Sequence, residues 1–166
     1  MNRHSSMVVR PARAHEVADA GAVTEAAYRA AGLAVGGYAD ALRDAGRRAD
    51  EAELLVAVDA GGAVLGSVTF CPAGSPWRDL ARDDEAEVRM LAVRPDAQRL
   101  GVGRALTEAC VDRARELGFR ALVLSTPSVA PAPQRLYEGI GFVRDPARDW
   151  SPVPGVELVV YVLLLD

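Results

Sequence analysis

The stretch from Val88 to Leu106 limits what this chain can fold into more than any other. Val88-Arg89-Met90-Leu91-Ala92-Val93 reads as a β-strand, Arg94-Pro95 stops it, and after a short polar turn Gly101-Val102-Gly103 opens a helix. The first N–H groups of such a helix have no intrahelical partner and lie at its positive end, so the stretch reads as an anion cradle. From Gly101 to Leu117, Val102, Leu106, Ala109, Cys110, Ala114 and Leu117 share one helical face, with Arg104, Glu108, Asp112, Arg115 and Glu116 on the other. Gly118 follows as a C-cap, and Ala121-Leu122-Val123-Leu124-Ser125 is the continuous apolar run of a strand buried on both faces. Strand, helix and buried strand together predict a right-handed βαβ unit built around the cradle.

The remaining segments fit around that unit. Met7 to Pro11 predicts a short first strand, Ala14 to Ala31 a helix, and Tyr38 to Ala45 a second, shorter one, the pair lying over one end of the sheet. Glu53 to Asp59 and Ala63 to Phe70 flank Ala60-Gly61-Gly62, a hairpin signal because glycine supplies the positive φ of a tight turn. Cys71 to Asp84 reads as a surface loop longer than a turn requires, which points to function. After Pro127, Pro131 and Pro133 comes a brief helix, Gln134 to Glu138, ended by Gly139 and Gly141; Phe142-Val143 starts a strand, Asp145 to Gly155 is a long rigid loop, and Val156 to Leu165 closes as an apolar strand. With 166 residues and no repeat or linker, the expectation is one α/β domain over 1–166 with a mixed sheet, residues 1–6 forming a flexible tail.

Composition removes several chemistries. All 19 basic residues are arginine, so neither a Schiff-base lysine nor a P-loop lysine exists here. A net charge of -4 argues against a nucleic-acid surface. Cys71 and Cys110 lie far apart with no C-x-x-C spacing, and both read as reduced thiols of a cytoplasmic protein. The polar start and the lack of any apolar run of about 18 residues predict a soluble, unexported chain. His4 and His15 have no metal-ligand spacing, so no metal is expected.

Gly101-Val102-Gly103 is neither a P-loop nor a dinucleotide fingerprint, since Leu106 stands where the third glycine belongs. Gln98, Arg99 and Arg104 around it add donors suited to a pyrophosphate. Val88 to Val93, Arg94-Pro95 and Gln98-x-x-Gly101-x-Gly103 resemble the acetyl-CoA-binding motif of the GNAT superfamily of N-acetyltransferases. A second GNAT-like signature follows in the expected order, as Leu136-Tyr137-Glu138-Gly139-Ile140-Gly141-Phe142. The resemblance covers roughly residues 53 to 143. It implies a GNAT-like α/β domain whose mixed, mostly antiparallel sheet is splayed in the middle and flanked by helices, with acetyl-CoA as cosubstrate. The pantetheine arm would lie along Leu91, Ala92 and Val93, and the pyrophosphate on the amides from about Arg99 through Leu100, Gly101, Val102 and Gly103 to Arg104, with Gln98 beside them as a further cofactor-binding residue. Two positions depart from the family pattern: Ala130 replaces a frequent asparagine, and Pro133 replaces a usual alanine, which predicts a shortened helix.

The implied chemistry is direct attack of a neutral amine on a thioester within a ternary complex. Amines near pKa ~10 are mostly protonated at pH 7, so a carboxylate acting through water helps. Glu87 is the candidate base, at the start of the strand feeding the cradle, and Glu85 lies on the same face two residues earlier. The resemblance makes Tyr137 the proton donor to the departing thiolate, although a phenol near ~10 donating to a thiol near ~8.5 is uphill by about 2 kcal/mol in water. Tyr38, Trp77, Glu85 and Trp150 are the candidate acceptor residues; Asp79, Asp83, Asp84, Arg148 and Asp149 lie in the same loops. The expected function is acetylation of a primary amine on a small molecule. The alternatives are a non-catalytic acyl-CoA-sensing module and a protein N-terminal or side-chain acetyltransferase. Leu158 to Leu165, more apolar than an exposed edge should be, predicts a homodimer through the last strand.

Overall fold

The computed structural model describes residues 6–166, so His4 and nearly all of the expected tail 1–6 lie outside the described residues. In chain order the elements are β1 (Val8–Pro11), α1 (Val17–Ala30), α2 (Tyr38–Arg43), α3 (Ala45–Glu51), β2 (Glu53–Val58), β3 (Val64–Cys71), β4 (Glu85–Val93), α4 (Val102–Glu116), β5 (Ala121–Pro127), α5 (Pro131–Ile140), β6 (Val143–Arg144), β7 (Trp150–Val153) and β8 (Val156–Leu164). Short 3-10 turns cover Ala14–Glu16, Pro95–Ala97 and Pro146–Arg148. No helix among the described residues is long and apolar enough to cross a membrane.

The strands form one sheet in the order β1-β2-β3-β4-β5-β8-β6, with β7 also paired to β8. Every pairing is antiparallel except β4 with β5. That parallel pair covers only Glu85↔Ala121, Ala86↔Leu122 and Glu87↔Val123. Beyond Glu87, β4 runs on against β3 as far as Gly66↔Val93, and β5 runs on against β8 as far as Pro127↔Leu158. The two half-sheets therefore part after three residues, and the sheet is open in its middle.

Two apolar layers hold the sheet. Leu55, Ala57, Phe70, Ala86, Val88 and Leu122 pack against Val102, Leu106, Cys110 and Ala114, the apolar stripe of α4. Leu54, Val56, Val58 and Val64 face the other way, toward Ala20 of α1 and Ala45 of α3. Gly66 is what lets α4 lie so close. A Cβ there would stand 2.8 Å from the Ala92 carbonyl, 2.8 Å from Val102 Cγ1 and 3.0 Å from Leu106 Cδ1, so the first turn of α4 rests on bare backbone. In the β2–β3 hairpin, the Asp59 carboxylate accepts the N–H groups of Gly61 and Ala63, both at 2.9 Å, as the glycine-rich turn predicts.

Four expectations need correction. Tyr38 to Ala45 is not one helix: α2 ends at Arg43, Asp44 accepts the Arg47 N–H as an N-cap, and α3 begins, a strongly polar helix with no apolar stripe to betray it. The helix of Tyr137 is not shortened by Pro133, because Pro131 and Pro133 fall in the first turn of α5, where the missing N–H groups are not needed. The loop 145–155 contains β7, which forms a hairpin with β8. Finally, β8 is not a free edge over most of its length: β5 lies on one side of it, while on the other β7 pairs with Val156 and Leu158 and β6 with Tyr161 and Val162, leaving Leu164 67% exposed beyond them.

Candidate active site

The gap between the half-sheets is made by β4. Register slips between Ser67 and Thr69 on β3, where Met90 of β4 adopts φ +53° and forms a bulge. Ahead of the bulge Ala86 and Val88 face α4; past it, Leu91 and Val93 do, since both lie near the Cβ position of Gly103. Backbone direction alternates along a strand. The Arg94 N–H reaches back to Leu65 of β3 at 2.8 Å, and the Ala92 carbonyl is turned the same way, against Gly66. The peptide groups of Leu91 and Val93 therefore point into the gap, where β5 has already left, while those of Ala92 are committed to β3.

The cradle lies at the same end. Gly101, at φ +80°, is the N-cap of α4 and brings no side chain to cap it. The first helical bond is Ala105 N–H to Gly101 C=O at 3.0 Å, leaving the N–H groups of Val102, Gly103 and Arg104 as free donors at the positive helix end. Gln98, Arg99 and Leu100 are exposed around them, and Val102 is buried so that only its amide is offered. Gly103 faces Leu136 of α5, whose Cδ2 is 3.4 Å from where a Cβ would stand, with Val93 at 3.7 Å and Leu91 at 4.0 Å. Helix α4, strand β4 and helix α5 thus meet around Gly103. Arg104 is held by Glu108 at 2.9 Å.

Tyr137 enters from this α4–α5 side. Its ring packs against Phe142 (centroids 5.8 Å apart) and Tyr161 (6.3 Å) and is buried. Its hydroxyl bonds no group among the described residues, and 5% of the residue remains exposed. Burial, with Cys110 nearby, pushes the phenol well above its ordinary pKa, which keeps it protonated. Tyr161, by contrast, is engaged with Glu138 at 2.7 Å.

The opposite face of the sheet carries Glu85, Glu87 and Arg89 in alternation. Glu87 is buried, and its carboxylate accepts the N–H groups of Asp79 (3.0 Å), Leu80 (2.7 Å) and Ala81 (2.8 Å), so the loop between β3 and β4 is clamped over β4. Burial raises its pKa, and the three amides pull the other way. Glu85 is bound to Arg148 at 2.9 and 3.1 Å and to the Arg82 N–H at 2.9 Å, so its carboxylate ties β4 to the Pro146–Arg148 turn. Burial raises its pKa, but Arg148 and the Arg82 amide outweigh this and hold it below the usual value.

Of the four acceptor candidates, Tyr38 and Trp77 lie together around Arg89, which donates to the Trp77 carbonyl at 3.0 Å and reaches the Tyr38 hydroxyl at 3.5 Å. Trp150 stands on the β5 side, its indole N–H donating to Ser125 Oγ at 3.3 Å. Ser125 shares a face with Val123, the register partner of Glu87, so Trp150 and Glu87 flank the gap on one side of the sheet. Glu85 lies on that face too but is taken up by its ion pair. Asp84 pairs with Arg120, and Asp149 with Arg144. Sequence reasoning missed Arg89, whose signal was its place two residues beyond Glu87 on the same face, and Arg48, hidden in the unrecognised α3. Cys71 and Cys110 are both buried, and burial pushes the Cys71 thiol up to about 12, so neither offers a thiolate. No cluster of three or more His, Cys, Asp or Glu among the described residues is placed to hold a metal.

The profile of the acetyltransferase (GNAT) family matches residues 22–142. An uncharacterized N-acetyltransferase of Schizosaccharomyces pombe is 31% identical over 103 residues, covering 62% of this chain and 59% of that one. A mycothiol acetyltransferase of Pseudarthrobacter chlorophenolicus is 38% identical over 95 residues, 57% of this chain and 28% of its own length. The chain thus matches only part of these relatives. Among solved structures, a GNAT family acetyltransferase from Brucella melitensis in complex with acetyl-CoA superposes with a TM-score of 0.66 at 24% identity, covering 96% of this chain and 88% of that one.

Proposed function

This chain belongs to the acetyltransferase (GNAT) family, and from that premise we propose that it transfers an acetyl group from acetyl-CoA to a primary amine of a small molecule, by direct attack in a ternary complex. One observation carries the reading: free backbone donors line the gap and the start of α4, with an unbonded phenol on one side of the sheet and a buried carboxylate on the other.

The residues present fit acetyl-CoA. The uncapped amides of Val102, Gly103 and Arg104 suit a pyrophosphate, and the Leu91 and Val93 peptide groups suit an extended amide chain laid in as an added strand. Gln98, Arg99, Leu100 and Gly101 form the rim of that cradle, and Ala92 holds its strand to β3. When bound, acetyl-CoA supplies the thioester carbonyl. Glu87 then draws a proton from the incoming amine through water, its raised pKa making it a stronger base than an exposed carboxylate. Tyr137 offers its phenolic proton to the sulfur side. Since burial makes that phenol a poorer acid, its proton passes to the sulfur only as the acceptor nitrogen, in becoming an amide, gives up its second proton to restore the phenol. Tyr38, Trp77 and Trp150 flank the acceptor.

The test is acetyl-CoA-dependent thiol release against a panel of amines, with acetyl-CoA binding measured in parallel. Transfer to at least one small amine is expected. Binding without transfer to any amine or peptide overturns the enzyme reading in favour of an acyl-CoA-sensing module, and transfer only to peptides shifts it to protein acetylation.

A further inference from the structure

Arg48 poses a problem that the chemistry above does not solve. It projects from α3 to the Glu87 face of the sheet and is fully buried. Its Nε donates to Thr69 Oγ1 at 3.1 Å and its Nη1 to the carbonyls of Ala41 and Leu42 at 2.5 and 2.9 Å, while its Nη2 has no acceptor among the described residues. No carboxylate among the described residues lies within ion-pair distance of it. A buried cation with an idle donor is costly, so it calls for an acceptor beside it, whether water, ion or ligand. The indole N–H of Trp77 is a second sealed donor without a partner.

Both idle donors border Arg89. Thr69, which holds Arg48, is the register partner of Arg89, and the Trp77 ring lies 6.0 Å from the Arg89 guanidinium. The one sealed acceptor without a partner among the described residues, Glu51 Oε2, belongs to a carboxylate whose other oxygen already takes Arg47 at 3.0 Å. Arg89 itself is satisfied by Asp79 of the β3–β4 loop at 3.3 Å, a carboxylate from the segment that Glu87 clamps. The cluster is thus rich in donors and holds a carboxylate from its own loop.

We infer that Arg89, backed by Arg48 and Trp77, forms an anion subsite, and that the acceptor is an amine bearing a carboxylate, which displaces Asp79 from Arg89 on binding. The inference rests on the acetyltransferase reading above and names the class of its acceptor. Glu87 and Arg89 are two residues apart on one strand face, roughly 7 Å. That span suits an amine and a carboxylate separated by a few bonds, as in an amino acid, with the amine toward Glu87 and the carboxylate on the arginine fork.

The experiment pairs each of several L-amino acids with the amine left by its decarboxylation, at fixed acetyl-CoA. Expected is a kcat/KM roughly 100-fold higher for the acids. Arg89→Gln should remove the preference by raising KM for the acids while acetyl-CoA affinity holds, Arg89→Lys should keep part of it, and Asp79→Asn should lower KM for the acids. Equal or better use of the decarboxylated amines overturns the inference and leaves the acetyltransferase reading standing. A second readout is independent of turnover. In a Trp150→Phe protein, Trp77 is the sole tryptophan, and N-acetyl amino acids should change its fluorescence where N-acetyl amines do not. That difference without any transfer would retain the anion subsite and overturn the enzyme reading; no difference and no transfer would overturn both.

Discussion

Tyr137 has its ring wedged against Phe142 and Tyr161 while its hydroxyl bonds nothing among the described residues, so removing the oxygen takes none of their bonds away. Tyr137→Phe is therefore expected to leave the thermal midpoint and acetyl-CoA affinity almost unchanged and to lower kcat by about 10²–10⁴-fold, read by steady-state kinetics beside a binding titration. Unchanged turnover would take the phenol out of the mechanism. Glu87 makes a pH argument with a definite sign. Its folded pKa is raised, so protonation favours the folded state at low pH, and that contribution is lost as pH climbs through the raised value. The base needs the other, ionised form, so kcat/KM should rise with pH along an acid limb lying above the ordinary carboxylate range. In Glu87→Gln that limb should vanish; its persistence would assign it to the amine or to another group. The sequence singled out both residues, Glu87 by its place at the start of the strand feeding the cradle and Tyr137 by a resemblance, and the roles given to them here are proposals. The clamp of three loop amides on Glu87 was not legible, because contacts between a loop and a strand leave no periodic trace. Met90 was equally hidden: its positive φ comes from the bulge, and nothing about a methionine announces one.

Helix α4 carries the cradle only because Gly66, a residue of β3, lets it down onto the sheet. A methyl group at Gly66 would meet the Ala92 carbonyl and Val102 at once, one of them backbone, so the helix start must lift. Gly66→Ala should cost about 1–3 kcal/mol of stability, in line with overpacking a core, and should weaken acetyl-CoA binding as well, since Val102 to Arg104 ride on the displaced turn. Denaturant unfolding with a binding titration on the same protein checks both; lost stability with unchanged affinity would mean that the cradle tolerates the shift. At this scale the sequence was most readable where an element carries an apolar face or run. Helix α4, the β2–β3 hairpin and β5 fall within two residues of expectation, α4 from its apolar stripe and the strands from apolar runs that are buried almost throughout. Helix α3 escaped because Arg47, Arg48, Asp50 and Glu51 give it no apolar stripe, its burial resting on Ala45 and on the Arg48 stem. Strand β8 stands where expected, but an apolar run does not tell how many strands flank it: β5 lies on one side and β6 and β7 pair with parts of the other.

The whole molecule is two half-sheets, β1 to β4 and β5 with β8, β6 and β7, joined across three register pairs and spread apart beyond them. That division makes the proposed cosubstrate a structural bridge as well as a reactant, and the two parts of its site can be separated by which amides they protect. The uncapped amides of Val102, Gly103 and Arg104 belong to the cradle; those of Leu91 and Val93 belong to the gap and lie on the other side of the Met90 bulge from the acceptor strand face. In hydrogen exchange, a nucleoside diphosphate without the pantetheine arm should slow Val102 to Arg104 and leave Leu91 and Val93 fast, while acetyl-CoA should slow both sets. By mass action, acetyl-CoA at about 100 times its Kd should stabilise the fold by about 2.7 kcal/mol, a rise in thermal midpoint on the order of 5–10 °C for a chain of this size. Protection of the cradle alone by acetyl-CoA would mean that the arm lies outside the gap. The phenol and the carboxylate would then no longer face a common reacting centre, however well each is placed on its own side of the sheet.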